Sequence, residues 1–154
     1  MPKEQGRKMV AQNRKARHDY LIEDTYEAGL MLVGTEVKSC RDGKMTLTDA
    51  YATVRDGEAW LLQAHIAPYA HGNRENHDPL RPRKLLLHRN EITKLHAAVA
   101  QDGRTLVPLR AYFKHGLAKV EIAVARGKRA YDKRQSESKR DAQRQMQREL
   151  GRRR

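Results

Sequence analysis

One cysteine, one phenylalanine and one tryptophan in 154 residues narrow the kinds of protein this chain can be. Cys40 alone can form neither an internal disulfide nor a thiolate zinc cluster, and it reads as a small buried thiol. Serine occurs only as Ser39, Ser136 and Ser138, and neither a nucleophile elbow nor a glycine-rich phosphate loop after a strand is present. Catalysis therefore finds no foothold, and the chain is not expected to be an enzyme. A run of about 18 apolar residues is missing, as is the apolar stretch of a signal peptide, so the expectation is a cytoplasmic, soluble chain.

What is abundant is positive charge, and it is unevenly placed. Residues 1–18 hold six Lys/Arg against Glu4, and residues 126–154 hold twelve against Asp132, Glu137, Asp141 and Glu149, which accounts for the whole net charge of +13. Residues 19–125 carry fourteen cations and fourteen carboxylates. Basic arms on a neutral body suit a polyanion, because each cation that pairs with a phosphate releases condensed counterions. An anionic membrane is a weaker partner, since the ends lack the Trp/Phe/Leu face that would enter the acyl boundary.

The chain reads as three parts. Residues 1–17 form a basic N-terminal arm, polar enough to be disordered or loosely docked. Residues 18–125 form the domain. From His18 to Val33 the apolar residues recur at even positions, predicting a long strand bent near Ala28-Gly29. Thr35, Glu36 and Gly43 bracket a helix of two turns. Thr46–Val54 and Ala59–Ile66 are strands joined through Asp56-Gly57, the dipeptide that a type I′ hairpin prefers. Residues 67–84 collect Pro68, Gly72, Asn73, Asn76, Pro79 and Pro82 and read as a long loop.

Beyond that loop, Ile92, Leu95, His96 and Val99 give a helical face over Arg89–Gln101, and Thr105–Phe113 with Leu117–Ala125 make a second hairpin. A mainly β fold with short helices follows, an antiparallel barrel of the oligonucleotide-binding (OB) type or a relative that hides its edges by closure. Residues 126–154 form the basic C-terminal tail. Its Ala142/Met146/Leu150 stripe is too thin to hold a lone helix, so it is either a solvated disordered tail or one that becomes helical against RNA.

Seven histidines make no recognised metal spacing. His71 and His77, with Glu75 and Asp78, are weighed as a zinc loop against a plain polar loop. Nucleic-acid signals are more coherent: Arg17-His18-Asp19-Tyr20 and Arg126-Gly127-Lys128-Arg129-Ala130-Tyr131 interleave cations with rings that can stack, and Arg81-Pro82-Arg83-Lys84 adds a third basic group.

Several blocks, in order, resemble the SmpB family: residues Asn13-Arg14-Lys15-Ala16-Arg17-His18-Asp19-Tyr20, Tyr26-Glu27-Ala28-Gly29-Leu30, Gly34-Thr35-Glu36-Val37-Lys38-Ser39, Asn73-Arg74-Glu75-Asn76-His77-Asp78-Pro79, Arg83-Lys84-Leu85-Leu86-Leu87-His88 and Arg126 through Arg134. The resemblance covers roughly residues 11–150 and implies an adaptor that binds the tRNA-like domain of transfer-messenger RNA (SsrA RNA) and delivers it to stalled ribosomes in trans-translation. It implies RNA contacts from Asn13, Arg14, Lys15, Arg17, His18, Glu27, Lys38, Lys84, Leu86 and His88.

The same resemblance implies that Gly127, Lys128, Arg129, Tyr131, Asp132, Lys133 and Arg134 act at the small-subunit decoding centre, with the tail in the vacant mRNA channel beside 16S rRNA. Elongation factor Tu and alanyl-tRNA synthetase are implied as partners through the RNA complex; no metal or other cofactor is implied. His88 stands where some relatives have Asn, and Tyr131 where some have His, so a role specific to the latter His would not transfer. The alternative is a generic ribosomal or initiation-factor-like RNA-binding barrel.

Overall fold

The computed structural model describes residues 7–70, 76–101, 103–128, 140 and 142–148. The chain is mainly antiparallel sheet with short helices, in the order β1 (Arg7–Gln12), α1 (Arg14–Asp19), β2 (Tyr20–Leu30), α2 (Gly34–Arg41), β3 (Met45–Thr46), β4 (Tyr51–Arg55), β5 (Glu58–Leu62), β6 (His65–Ile66), β7 (Arg83–Leu86), α3 (Arg89–Val99), β8 (Arg104–Lys114) and β9 (Leu117–Gly127).

Hydrogen bonding closes six of these strands into a ring, β8-β4-β5-β7-β2-β9 and back to β8, with β1 paired to the remaining length of β8. Strands β3 and β6 form a separate two-stranded ladder. Both predicted hairpins are present with two-residue turns in the left-handed region, Asp56-Gly57 (φ 54° and 75°) and His115-Gly116 (φ 51° and 79°), where Asp, His and Gly are tolerated and the twist matches the flanking strands.

Alternation of side chains puts Ala28, Leu30, Ala52, Leu61, Leu85, Leu106, Ala111, Phe113, Val120, Ile122 and Val124 inside the ring. A second, smaller core lies on the outer surface, where Ala16 of α1 covers Val107, Leu109, Ala123 and Ala125, flanked by Tyr20 and Ile22. Both strands also change parity along their length, β8 slipping register between Pro108 and Arg110, and β2 between Ile22 and Asp24. Each bulge inserts one residue and reverses which face the next side chain meets.

The structure departs from the expected elements in five places, one being that the expected strands Thr46–Val54 and Ala59–Ile66 are each broken in two, into β3 with β4 and β5 with β6. Residues 7–12 are a strand rather than a loosely held arm, because Val10 and Ala11 pack on the inner core while the backbone pairs with β8. His18 belongs to α1, and β2 begins at Tyr20. The irregularity in β2 sits at Ile22/Asp24 and not at Ala28-Gly29, which pair regularly with β9. The 67–84 segment ends in β7, which starts at Arg83.

That segment is also tied down. Asn76 exchanges two hydrogen bonds with the Tyr69 backbone (3.2 and 2.9 Å). The His77 ring is buried, its Nε2 2.9 Å from the Ile66 carbonyl and its Nδ1 2.9 Å from the Thr35 hydroxyl. A carbonyl only accepts, so Nε2 carries a proton and donates to Ile66.

Beneath the segment lies a buried ion pair that the sequence pattern did not announce. Arg83 and Glu36 are both fully enclosed, with Nε donating to Oε2 at 2.6 Å, while Arg81 reaches Glu36 Oε1 at 2.5 Å. The rest of the Arg83 guanidinium donates to the carbonyls of Ala64 (2.5 Å) and Pro79 (3.1 Å), and Glu36 also accepts from the Val33 amide at the start of α2 (2.9 Å). Burial pushes the Glu36 carboxyl up, but the hydrogen bonds from Arg81, Val33 and Arg83 outweigh it and leave the group below the usual carboxylate range. Nearby, burial pushes the Cys40 thiol up to about 11, consistent with a buried, unreactive cysteine.

Replacing Arg83 by Met leaves Oε2 of the buried Glu36 carboxylate and two carbonyls without their donor, Arg81 and the Val33 amide still holding Oε1, so a urea melt should show a loss of about 3 kcal/mol. With its pKa depressed in the fold, Glu36 stabilises above the unfolded carboxyl value of about 4.3 and loses that contribution as pH falls through the lower folded value. The stability gap between wild type and Glu36→Gln should accordingly narrow below about pH 4.3; a gap constant down to pH 3 would contradict this.

Candidate nucleic-acid interface

The outward residues of β1, β8, β9, β2 and β7 line up in cross-strand rows. In one, Gln12 opposes Arg110, Arg110 opposes Glu121, and Glu121 opposes Glu27; in the next, Met9, Tyr112, Lys119, Gly29 and Leu86 succeed one another; in a third, Arg7, Lys114 and Leu117 do so. Because β2 and β7 run antiparallel with Gly29 opposite Leu86, the chain leaving β7 carries His88 toward the Glu27 end. His88 precedes α3, its amide donating to Glu91 Oε1 at 3.0 Å and its ring left exposed. Leu86 is 52% exposed, unusual for leucine in a ladder, and a Cβ on Gly29 would come within 3.1 Å of the Leu86 Cβ. The bare backbone at Gly29 therefore lets Leu86 lie flat over β2.

Two carboxylates directly opposite each other are unfavourable in a ladder unless each has its own cation. Arg110 Nε donates to Glu121 at 2.9 Å. Glu27 accepts from the Tyr112 hydroxyl and has Arg7 and Lys114 each at 3.5 Å. The Tyr112 bond, joined by Lys114, holds the Glu27 carboxyl below the usual range despite partial burial.

Helix α1 extends this face with exposed Arg14, Lys15, Arg17 and His18. Arg14, Arg17 and Arg110, with Gln12, line a cleft of about 110 Å³ that joins the helix to the rows. A larger cleft of about 400 Å³ lies on the other flank of α1, between Lys15, Asp19 and Tyr20 and the Thr48–Tyr51 turn. His18 Nδ1 lies 2.9 Å from Asp19, whose carboxyl that contact draws below its ordinary value.

The sequence-predicted RNA residues are thus only partly brought together. Glu27, Leu86 and His88 share one region, and Arg14, Lys15, Arg17 and His18 share α1. Lys84, two residues before Leu86, is held by Glu58 at 3.1 Å, and Lys38 lies outside the rows on α2, 5.6 Å from the Tyr69 ring. Asn13 is not available to a ligand. It is buried, its Oδ1 accepts from the Ala16 amide, and its Nδ2 donates to the carbonyls of Leu47 and Pro108, all within about 3.1 Å. It bridges β8 at the gap between β4 and β1, where Pro108 has no amide to pair.

Of the tail, Gly127 ends β9 opposite Tyr20 and Lys128 is exposed, while Arg129, Tyr131, Asp132, Lys133 and Arg134 lie outside the described residues. Residues 142–148 are helical and exposed throughout, Ala142 and Met146 included, and Leu150 lies outside the description. Of the four residues weighed as a zinc loop, only His77 and Asp78 lie among the described residues. His71 is outside the described residues and both His77 nitrogens are engaged in protein hydrogen bonds. Among the described residues no His/Cys/Asp/Glu group could hold a metal, and no helix is long and apolar enough to cross a membrane.

Sequence reasoning missed Arg7, Arg110, Tyr112, Lys114 and Lys119. Arg110, Tyr112 and Lys114 at alternate positions were a readable signal for one polar strand face.

A β ring with short flanking helices, and an outer face of cations, exposed Leu86 and Leu117 and two carboxylates braced by cations, defines a small RNA-binding protein of the antiparallel β class. The chain belongs to the SmpB family, whose sequence profile (SmpB protein) matches residues 10–152. The SsrA-binding protein of Acidothermus cellulolyticus is 60% identical over 153 residues, 99% of this chain and 96% of the relative. That of Thermobifida fusca is 61% identical over 152 residues (99% and 95%), and that of Geobacillus thermodenitrificans 58% over 148 (96% and 95%). A solved structure described as "tmRNA-SmpB: a journey to the center of the bacterial ribosome" is 54% identical, with a TM-score of 0.66 over 76% of this chain and 82% of its own.

Asn13→Ala removes a helix cap and two buried donors together, so a loss of about 2 kcal/mol is expected in chemical unfolding. A loss below about 0.5 kcal/mol would return Asn13 to the pool of surface residues.

Proposed function

We infer that the chain is an SsrA-binding adaptor that acts with transfer-messenger RNA on the ribosome in trans-translation, and that it binds RNA without turning it over. The observation that carries this is Leu86, exposed and paired with Gly29 beside Glu27 on one outward face, with exposed His88 two residues beyond it, on a chain 60% identical to an SsrA-binding protein over nearly its whole length.

In this reading the ring is a barrel of the OB type and its outer face meets the tRNA-like domain. Leu86 offers apolar contact to a base or ribose, Glu27 accepts from an amine or hydroxyl, and His88 adds a hydrogen bond. Arg14, Lys15, Arg17 and His18 on α1, with Lys84 and Lys38 beyond the rows, contribute charge along the phosphate backbone. Asn13, though named among the RNA residues by resemblance, acts by holding α1 in place.

Gly127, Lys128, Arg129, Tyr131, Asp132, Lys133 and Arg134 open the tail that enters the vacant mRNA channel at the decoding centre. Twelve Lys/Arg in residues 126–154 beside ribosomal RNA offset the entropy of ordering that segment there. Elongation factor Tu and alanyl-tRNA synthetase are reached through the RNA.

Deleting residues 126–154 should leave capture of the isolated tRNA-like domain near wild type in a filter-binding assay while abolishing peptide tagging on stalled ribosomes. His88→Ala should weaken capture about tenfold. Unchanged tagging after the deletion would refute the tail assignment. Displacement of the protein from transfer-messenger RNA by an equal concentration of ordinary tRNA would favour a generic RNA-binding barrel.

A further inference from the structure

Glu27 presents an electrostatic problem, because a carboxylate on an RNA-binding face repels the phosphates around it unless its charge is both offset and directed. Tyr112 is 2% exposed, its outward ring covered in part by Arg7, and its hydroxyl donates to Glu27 Oε2. The Arg7 guanidinium stacks over the same ring at 4.7 Å and lies 3.5 Å from the same oxygen. Oε1 has the partly exposed Lys114 ammonium near it at 3.5 Å, a contact that a donor of the RNA would share or displace. Cross-strand order sets Tyr112 opposite Lys119, and Lys119 opposite Gly29, so the buttress stands behind the notch that Leu86 overhangs.

We propose that Tyr112, braced by Arg7, is a positioning residue for RNA recognition: it locks one oxygen of Glu27 so that the other is presented to a donor of the RNA, an exocyclic amine or a ribose hydroxyl. The inference rests on the reading of Glu27 as an RNA contact. Rotation of a free glutamate through three torsions would spread that oxygen over many positions, whereas a fixed acceptor discriminates a donor from a phosphate. Burial, followed by the bond to Glu27, raises the Tyr112 hydroxyl to about 12, so it remains a donor at neutral pH. The carboxylate, held low by that same bond, remains an acceptor.

The test is a double-mutant cycle on the full chain with Glu27→Gln, Tyr112→Phe and the double variant, measuring affinity for the tRNA-like domain at fixed salt, with unfolding curves for each. The expected result is a three- to tenfold loss, an order-of-magnitude expectation for a hydrogen bond to a charged group, for Tyr112→Phe. In the Glu27→Gln background the same change should have no further effect. The affinity of Tyr112→Phe should also fall at a higher pH than wild type, its carboxyl having risen toward about 4.3, while Glu27→Gln stays flat.

A Tyr112→Phe variant that binds as wild type, or whose loss persists in the Glu27→Gln background, overturns the positioning role and leaves the RNA face standing. A Glu27→Gln variant that binds at full strength overturns the RNA-face reading, and the proposal with it.

Discussion

The register slip between Pro108 and Arg110 governs the rest of the structure. A strand shows alternate faces at alternate residues, so an uninterrupted β8 that buries Leu106 in the ring would turn Phe113 and Ala111 outward and drive Tyr112 into the core. The inserted residue reverses that parity. Val107 and Leu109 lie outside under α1 by plain alternation from Leu106, and beyond the slip Ala111 and Phe113 enter the ring while Arg110, Tyr112 and Lys114 stand outside together. The matching slip in β2 keeps Glu27 and Gly29 on that same outer face. Asn13 secures the site by bridging the backbone where Pro108 supplies no amide. The outward placement of Arg110, Tyr112 and Lys114 depends on this irregularity, and that of Glu27 and Gly29 on its counterpart in β2.

Charge is divided between two tasks. The neutral middle of the chain is built of paired groups: Glu23 with Arg104 and Arg126, Glu121 with Arg110, Glu58 with Lys84, and Glu36 with Arg81 and Arg83. Only the Glu36–Arg83 pair is fully buried, and there loss of one partner is costly. The exposed pairs contribute little to stability, so Arg110 and Lys84 can exchange a carboxylate for a phosphate at small cost. The unbalanced cations at the two ends supply attraction that is independent of sequence, and the paired face supplies shape and hydrogen-bond recognition.

Much of this was legible in the sequence, and the exceptions share a cause. Hairpins announced themselves through Asp56-Gly57 and His115-Gly116, α3 through its apolar spacing, and α2 through Glu36 and Gly43, because turn chemistry and periodicity are local. The basic blocks and the family resemblance led to Glu27, Leu86 and His88. What stayed hidden was long-range. Val10 and Ala11 looked incidental in a cationic segment until β8 offered them a partner. Arg83 read as part of a basic group offered to nucleic acid, since nothing within the run reveals Glu36, 47 positions away. Asn13 looked like a contact residue because a buried bridging asparagine and an exposed one are identical in sequence. The bend in β2 was assigned to Ala28-Gly29 by glycine preference, yet Gly29 serves to admit Leu86.

Amide hydrogen exchange of the full chain, free and bound to the isolated tRNA-like domain, tests the central claim most directly. Protection is expected at Glu27–Gly29, at Arg110–Lys114 and at the Leu86–His88 segment, with none at the Asp56-Gly57 turn on the β4–β5 hairpin. Protection at that turn, with the outer rows exchanging as in the free protein, would contradict the account.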